Sequence, residues 1–489
     1  MGSFRRVIFL SLWIGVFGWG GSVLAAAPYQ IKWYFIGNGP QRDVKLVEQA
    51  ISRYIQKKGL NATVKLHCFP WGDDYNRRMW KIISCREPFD ICFTASWANM
   101  YKVNVAMGSF LDLTDLLGKY APKTKKQLHP AFLRGSAING RNYAIPTNKE
   151  LAHVWSISFN RRLVQKYRFN LSTIKALADL EPLLKVIKAK EPRVIPFQNL
   201  KDDNAIRVLN FDRIVDDAIP AVLCNNSSNM KVFNLLATKE FREYIQLMRK
   251  YYIAGYIPAY SPTESGAITD MKAGKVFCRI ESGKPFHAEE RSASWGLPIV
   301  DVNLTKPIIQ TSDCTGSMQA ISGTSRNPAL VLRFLELVNT DKVLNNLINF
   351  GIEGKHFVKV SADVIDYPKG ITAQNSGYQP GTPWLFGNQY LNYFWQGENT
   401  GKWDAYKQFN NSATLAKSLG FNFDPKMVQN EKEICTNLWY SNVAPLNCGA
   451  YDPKKLPGII AGFKAAGLDK IIAETQKQLD AWVAKQEKQ

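Results

Sequence analysis

The first hundred residues set the periodicity of the chain. Gln30-Ile-Lys-Trp-Tyr-Phe-Ile36 reads as a strand and is followed by a Gly-Asn-Gly-Pro loop at 37–40. Val44, Val47, Ile51 and Ile55 recur at helical spacing, which predicts a helix over about 43–58 that Gly59 stops. Asn61 to Phe69 reads as a second strand, the segment after Trp71-Gly-Asp-Asp-Tyr75 as a helix to about Cys85, and Phe89-Asp-Ile-Cys-Phe-Thr94 as a buried strand. Such a β-α-β-α-β succession predicts a parallel sheet with helices on its faces. Ligands of these sheets bind beyond the carboxyl ends of the strands. Those ends are the loops 37–41, 71–75 and 94–99, so three polar and aromatic loops converge on one edge.

Further along, Gly140 to Pro146 reads as a turn and strand, His153 to Phe159 as a strand, and Asn160 to Tyr167 as a helix start. Helices are expected over 176–190 and 240–252 and a strand over 275–281, with loops at 283–285 and 294–296. Met318 to Ser322 is a short apolar strand. After it, Asn327 falls at an N-cap and Pro328 at the first helical position, where its missing N–H costs nothing. Leu330, Leu332, Phe334, Leu335 and Leu337 give that helix an apolar side. There is no internal repeat and no low-complexity tract.

The stretch from Thr311 to His356 resembles the second crossover of the extracellular solute-binding proteins of ABC transporters. Other segments that carry the resemblance are Phe89 to Trp97, Tyr143-Ala-Ile-Pro-Thr-Asn-Lys-Glu150, Gly351-Ile-Glu-Gly-Lys-His356 and Pro380 to Asn388. The last two are similar to the sugar-type subgroup with a C-terminal extension. The resemblance implies an α/β fold of the type II periplasmic binding protein kind, two lobes joined by a hinge, with extra C-terminal helices. It places lobe one at 28–149 plus 309–360, lobe two at 150–308, and an extension at 361–489 packing mainly on lobe two. It also implies an ABC permease in the inner membrane as partner, a monomeric receptor, and no cofactor.

Composition agrees with two lobes, since 489 residues exceed what one core usually serves. Arg5 and Arg6 precede an apolar run from Val7, and Val23-Leu-Ala25 is a small-residue cleavage site, so residues 1–27 read as a signal peptide cleaved near Ala25. The competing reading is a retained anchor, because Val7 to Ala27 carries no charge. No Cys follows the run for lipidation, unlike the similar substrate-binding lipoproteins, and a periplasmic protein is expected. In that oxidising compartment some of the eight cysteines should pair, with Cys435 and Cys448 as the best candidates. Their short loop is worth about 3 kcal/mol in the loop-entropy model. Removing Arg5 and Arg6 from the formal +21 leaves +19 on the mature chain. The basic residues are scattered and carry no nucleic-acid-binding signature, so nucleic acid is not an expected partner. The charge instead raises the idea of an acidic sugar.

A receptor for a hydrated solute needs aromatic faces and fixed hydrogen-bonding groups. Trp97, directly after a strand end, is the first candidate stacking surface, with Trp71, Trp295 and Trp384 beside it; Trp33 reads as core. Asn38, Gln41, Ser96, Asn99 and Asn388 are candidates for neutral hydrogen bonds. Asp74, Lys149, Glu150 and Glu281 are the candidate charged contacts, with Asp73 a weaker one and Arg279, Lys284 and Arg291 relevant to an acidic ligand. No catalytic constellation emerges: there is no nucleophile elbow and no His-Glu-x-x-His, and Asp73-Asp74 and Glu289-Glu290 are adjacent pairs, whereas glycosidase acids normally come from separated elements. The cysteine and histidine spacing matches no zinc module, so no metal site is expected. His356 reads as a capping or core-edge group. The expected function is therefore solute capture by hinge closure for an ABC importer, with a carbohydrate-like ligand and no enzymatic activity. The alternatives are a receptor for a non-sugar solute such as a peptide or polyamine, and a secreted carbohydrate-active enzyme.

Overall fold

The computed structural model describes residues 27–225, 229–264 and 268–487, so the leader and its cleavage site lie outside the described residues. The first strands follow the predicted succession: β1 (Tyr29–Gly37), α1 (Val44–Lys57), β2 (Ala62–Pro70), α2 (Asp73–Ser84), β3 (Ile91–Thr94) and the short α3 (Tyr101–Ala106). Next come β4 (Ala144–Pro146), β5 (Val154–Asn160), β6 (Ile195–Gln198), α4 (Lys239–Ile253), β7 (Val276–Gly283), α5 (His287–Trp295) and β8 (Ile299–Asn303). The chain continues through β9 (Met318–Ile321), α6 (Pro328–Thr340), α7 (Lys342–Phe350), α8 (Lys402–Ser412), α9 (Gln429–Leu438), α10 (Leu456–Ala465) and α11 (Leu468–Gln486).

Two separate sheets organise these elements. One has the order β2-β1-β3-β9-β4, with β1 parallel to both β2 and β3 and β9 antiparallel to β3 and β4. Trp33 is fully buried at its centre. The indole N–H donates to Gln319 Oε1 at 2.8 Å and the ring meets Phe334 and Phe386 edge-on. The other sheet has the order β8-β5-β7-β6. Each sheet has its own core. Ile31, Phe35, Ile91, Phe93, Met318, Phe334 and Leu344 belong to one; Ile157, Phe159, Phe197, Phe241, Phe277 and Leu479 belong to the other.

Local signals explain the element ends. Asn327 accepts from the Leu330 N–H and Pro328 opens α6, as its position predicted. The helix expected over 176–190 is a 3-10 turn at Leu177–Leu180 followed by an α-helix at Glu181–Lys190, because Pro182 lacks the N–H that would continue the first turn. Helix α5 and strand β8 were not foreseen. The residues of α5, His287 to Trp295, are too polar to show an apolar stripe, and those of β8, Ile299 to Asn303, are too few to establish a period; the His287–Asp301 ion pair joins the two.

Among the described residues the chain passes between the cores three times. His153 and Ile308 exchange both backbone hydrogen bonds, at 3.0 and 3.1 Å, so the first two passages run side by side. A third passage follows α8, where Thr414–Leu415 pairs in parallel with Ile308–Ile309, before Phe421 enters the second core. The segment after 361 is shared between the cores: Tyr378, Leu385 and Phe386 pack in the first, and Phe421, Val428, Cys435, Phe463 and Leu479 in the second.

The expected Cys435–Cys448 bridge is corrected. All eight cysteines are free thiols, these two being buried. Between them the chain runs through α9, a π-turn at Trp439–Val443 and a helix at Ala444–Asn447. At about 1.5 Å per residue such a helical path spans roughly 20 Å, far beyond the reach of a disulfide. A short sequence separation is therefore a long spatial one.

Candidate functional site

The carboxyl ends of β1, β2 and β3 open onto the loops that begin at Asn38, Trp71 and Ala95, and a fourth segment, Gln379 to Trp384, is inserted beside them. Asn38 holds it on both sides: its N–H donates to Pro380 O at 2.9 Å and its side-chain amide to Gln379 O at 3.0 Å. Gln41 accepts from the Gln379 N–H at 2.6 Å and donates to Gly39 O. A β-carbon on Gly37 would lie 2.6 Å from Pro380 O, so the close approach requires glycine there. Farther in, the Leu385 carbonyl accepts from Thr147 and Gln319, and the Trp384 carbonyl from Ser317. Residues distant in sequence thus fix Trp384 over the strand ends.

Around Trp384 the indoles collect. Its ring centroid is 6.2 Å from that of Trp71, 6.2 Å from that of Trp97 and 6.1 Å from that of Phe93 beneath. Trp71 and Trp97 are 47% and 49% exposed. Their polar edges are already engaged, Trp71 Nε1 donating to Asn38 Oδ1 at 3.2 Å and Trp97 Nε1 to Gly316 O at 2.8 Å. Both rings are therefore held in place while their faces stay open. Ser96 is exposed in the same loop, with its N–H anchored on Thr315 O at 2.8 Å. Asp74, in the first turn of α2, pairs with Arg78 at 2.8 Å.

The remaining candidates do different work. Asn99 is buried in a left-handed conformation and braces the Trp97 loop: its amide donates to Phe93 O at 3.0 Å, and its N–H to Asn76 Oδ1. Asn388 is buried, caps the Gln389–Leu391 turn and donates to Gln127 Oε1 and Asn339 O. Trp295 is 6% exposed and lies in a small cluster with Met271, Val276, Leu297 and Ile299 in the second lobe. It has no place among the other indoles.

Lys149, Glu150 and Glu281 belong to ion networks. Lys149 pairs with Glu150 at 2.8 Å, Glu150 with Lys284 at 3.3 Å, Lys284 with Glu290 at 3.0 Å, and Glu290 with Lys402 at 2.7 Å. Burial pushes the Glu290 carboxyl up, but Lys284 and Lys402 outweigh it and bring it down to about 2. Tyr406 donates to the same carboxylate at 2.8 Å. This chain of charges ties the first passage to α5 and α8. Asn410 of α8 adds to it by accepting from the Leu151 and Ala152 N–H groups. Glu281 faces Arg291 at 2.7 Å, Arg279 at 3.3 Å and His287 at 3.3 Å. Burial raises its pKa, and these partners more than reverse the shift. His356 is a core-edge cap, its Nδ1 accepting from the Ile352 N–H at 2.9 Å and its Nε2 facing Asp43. Phe93, Asn76 and Asn410 escaped the sequence reading, since nothing in their spacing separates a buttress from any other core or helix residue.

Among the described residues no group of three or more metal-ligating side chains is present, and no helix is long and apolar enough to cross a membrane. A hollow of about 710 Å³ lies elsewhere on the second lobe, lined by Arg161, Arg162, Ser292 and Leu297 among others and without an aromatic ring. The indole surface, which is open and not enclosed, is the better site on chemical grounds.

A family model described as a domain of unknown function (DUF3502) matches residues 417–484. A carbohydrate ABC transporter substrate-binding protein of Streptococcus pneumoniae is 30% identical over 470 residues, 93% of this chain and 91% of its own. The crystal structure of the N-glycan transport solute-binding protein (NgtS) of S. pneumoniae matches with a TM-score of 0.84 at 28% identity, over 94% of this chain and 100% of that one. Against the same protein in complex with Man5GlcNAc or Man1GlcNAc the TM-score is 0.73 or 0.76, over 94% or 93% of this chain and 99% of each complex. A solute-binding protein of Bifidobacterium longum infantis described as binding HMO shares the fold, with a TM-score of 0.62 at 15% identity over 93% of this chain and 99% of that one.

Proposed function

This chain belongs to the substrate-binding proteins of carbohydrate ABC transporters, and from that premise we propose that it captures an oligosaccharide of the N-glycan type between its two lobes. The observation that carries the reading is the meeting of Trp71, Trp97 and Trp384 at the strand ends of lobe one, with two of the rings half exposed and all three fixed. Sugar rings carry apolar C–H faces that stack on indoles, while their hydroxyls need fixed partners. Ser96, on the loop that carries Trp97, and Asp74, in the first turn after the Trp71 loop, supply such groups, while Asn38 and Gln41 use their amides to hold the Gln379–Trp384 segment in place. Asn99, Lys149, Glu150, Glu281 and Asn388 act behind them, bracing loops and passages. Trp295 serves the second lobe's core.

The mechanism is capture by closure. An open and a closed form differ by a few kcal/mol, and the glycan favours closure only through its greater affinity for the closed form. The chemistry is binding without bond cleavage. Export to the periplasm, cleavage near Ala25, a monomeric state and delivery to an inner-membrane permease complete the proposal. Lobe one comprises 28–149 with 309–360 and lobe two 150–308, and the two cores support that division. The segment 361–489 follows both cores, its first part on lobe one and its last on lobe two.

Isothermal titration of the purified chain with mannose–N-acetylglucosamine oligosaccharides tests the reading. Saturable binding to at least one of them, with the sugar recovered unchanged, is expected. No heat with any glycan, but binding of a peptide or polyamine, would overturn it.

A further inference from the structure

His153, Asp313, Ser418 and Asp212 line up where the three passages meet. His153 Nδ1 and Asp313 Oδ1 lie 2.9 Å apart, with the two side chains only 12% and 17% exposed. The second Asp313 oxygen accepts from the Gln310 N–H at 2.6 Å. In the same helical turn, Thr311–Cys314, the Thr311 hydroxyl donates to Ser418 O at 3.2 Å and accepts from the Gly420 N–H at 3.0 Å. The Ser418 hydroxyl in turn donates to the buried Asp212 carboxylate. With that helical turn as its middle link, a file of hydrogen bonds runs from the first passage to the third and on to Asp212.

The two carboxylates belong to opposite lobes. Cys314, next to Asp313, is buried in the first core, and its thiol donates to Ala131 O at 3.2 Å. Asp212 pairs in an antiparallel strand with Leu223 of the second core. His153 immediately precedes β5 of the second sheet and is pinned to Ile308 by both backbone bonds. A rotation of one lobe against the other about these passages therefore changes the separation of Asp212 from Asp313, whichever way it turns.

Charge at this joint depends on pH. Burial lowers the His153 pKa, but the charge and hydrogen bond of Asp313, with the charge of Asp212, outweigh burial and Arg207 and leave it raised. Burial brings the Asp212 carboxyl up to about 6 against the pull of the Ser418 hydroxyl. Arg207 is the other charge that faces both groups, and it is itself paired with Asp217 at 2.6 Å. As pH rises the joint loses the Asp212 proton and then the His153 proton. It ends with two carboxylates, one from each lobe, and without the imidazolium that offset them.

We propose that this joint is proton-sensitive: the angle between the lobes, and through it the affinity for glycan, follows the protonation of His153 and Asp212. The device is regulatory and rests on the reading of glycan capture by closure. Proton and glycan then act on one equilibrium, so each changes the binding of the other by the same factor.

Isothermal titration with a mannose–N-acetylglucosamine oligosaccharide at pH values between about 5 and 8 tests the linkage. Buffers of different ionisation heat count the protons exchanged. The wild-type dissociation constant should change by about fivefold over that range, with measurable proton exchange. The change should shrink in His153→Gln and in Asp212→Asn and vanish in the double variant. Ser418→Ala, which removes only the hydroxyl that holds Asp212 down, should move the lower step to higher pH; where the double variant does not fold, an unmoved step in Ser418→Ala overturns the proposal. A pH-independent wild-type constant overturns it too, as does a dependence kept in full by the double variant. Wild type that binds no glycan at any pH fails the functional reading instead. The joint is then decided by small-angle scattering of the ligand-free chain, whose radius of gyration should shift between about pH 5 and pH 8. A wild-type radius constant over that range overturns the proposal.

Discussion

Trp71 and Trp384 lie 6.2 Å apart, centroid to centroid, with their rings inclined by only 31°. One directly follows a strand of the first lobe's sheet; the other arrives from a loop far along the chain, beyond α7. Their shared surface exists because Asn38 binds both the Trp71 indole and the backbone leading to Trp384.

Removing a ring from that surface should cost affinity and leave folding nearly intact where the ring is exposed. Trp97→Ala is expected to weaken glycan binding at least tenfold with a stability change within about 1 kcal/mol. Trp71→Ala should weaken it less, as it borders the group from one side. Titration calorimetry paired with urea unfolding checks both, and full-affinity binding by Trp97→Ala would contradict the assigned site.

The opposite pattern is expected for Trp295. Buried among Met271, Val276, Leu297 and Ile299, it should cost about 3 kcal/mol when replaced by alanine. The folded fraction of that variant should bind glycan as wild type does. A selective affinity loss without destabilisation would return Trp295 to the binding surface.

Glu290 neutralises two lysines at once, Lys284 at 3.0 Å and the buried Lys402 at 2.7 Å. Glu290→Gln should destabilise the protein by about 2 to 3 kcal/mol, because truncating one partner leaves buried charge uncompensated. Glu398 still reaches Lys402 at 3.0 Å, which moderates the loss. The midpoint of urea denaturation reads the effect; an unshifted midpoint would show that the network contributes nothing net.

Asp212 gives the fold a pH dependence. Burial raises its carboxyl to about 6; the Ser418 hydroxyl lowers it, Asp313 raises it again, and His153 and Arg207 lower it. The folded pKa lies above the unfolded value, so this group's contribution is fully present below about pH 4 and is lost as pH rises through about 6. The change amounts to roughly 3 kcal/mol. Wild-type stability minus that of Asp212→Asn should therefore fall between pH 4 and pH 7. Parallel pH profiles would refute the assignment.

Thiol titration checks the cysteine correction. With all eight cysteines free, the protein unfolded without reductant should react with eight equivalents of thiol reagent, and the folded protein fastest at the exposed Cys85. Six equivalents in the unfolded chain would indicate one disulfide after all.

Much of this protein was legible in one dimension. The alternation of Ile31, Trp33 and Phe35 and the helical spacing of Val47, Ile51 and Ile55 forecast β1 and α1, because buried faces impose their period on the sequence. Parallel order followed, and with it the edge where Trp71 and Trp97 emerge. What the chain alone could not decide was which candidate ends up on that edge. Asn38, Asn99 and Asn388 look alike in sequence, yet Asn38 braces the Trp71–Trp384 pair while the other two bind buried backbone carbonyls that only the folded loops bring near. Trp295 follows an unremarkable helix into a private core, while Trp384 is carried to the site by contacts with Asn38, Thr147 and Ser317, all from distant segments. The cysteines make the same point, since thirteen positions of helical path hold apart two thiols that short spacing seemed to join. Periodicity records what is buried; only packing in three dimensions determines which polar and aromatic groups remain free to meet a ligand.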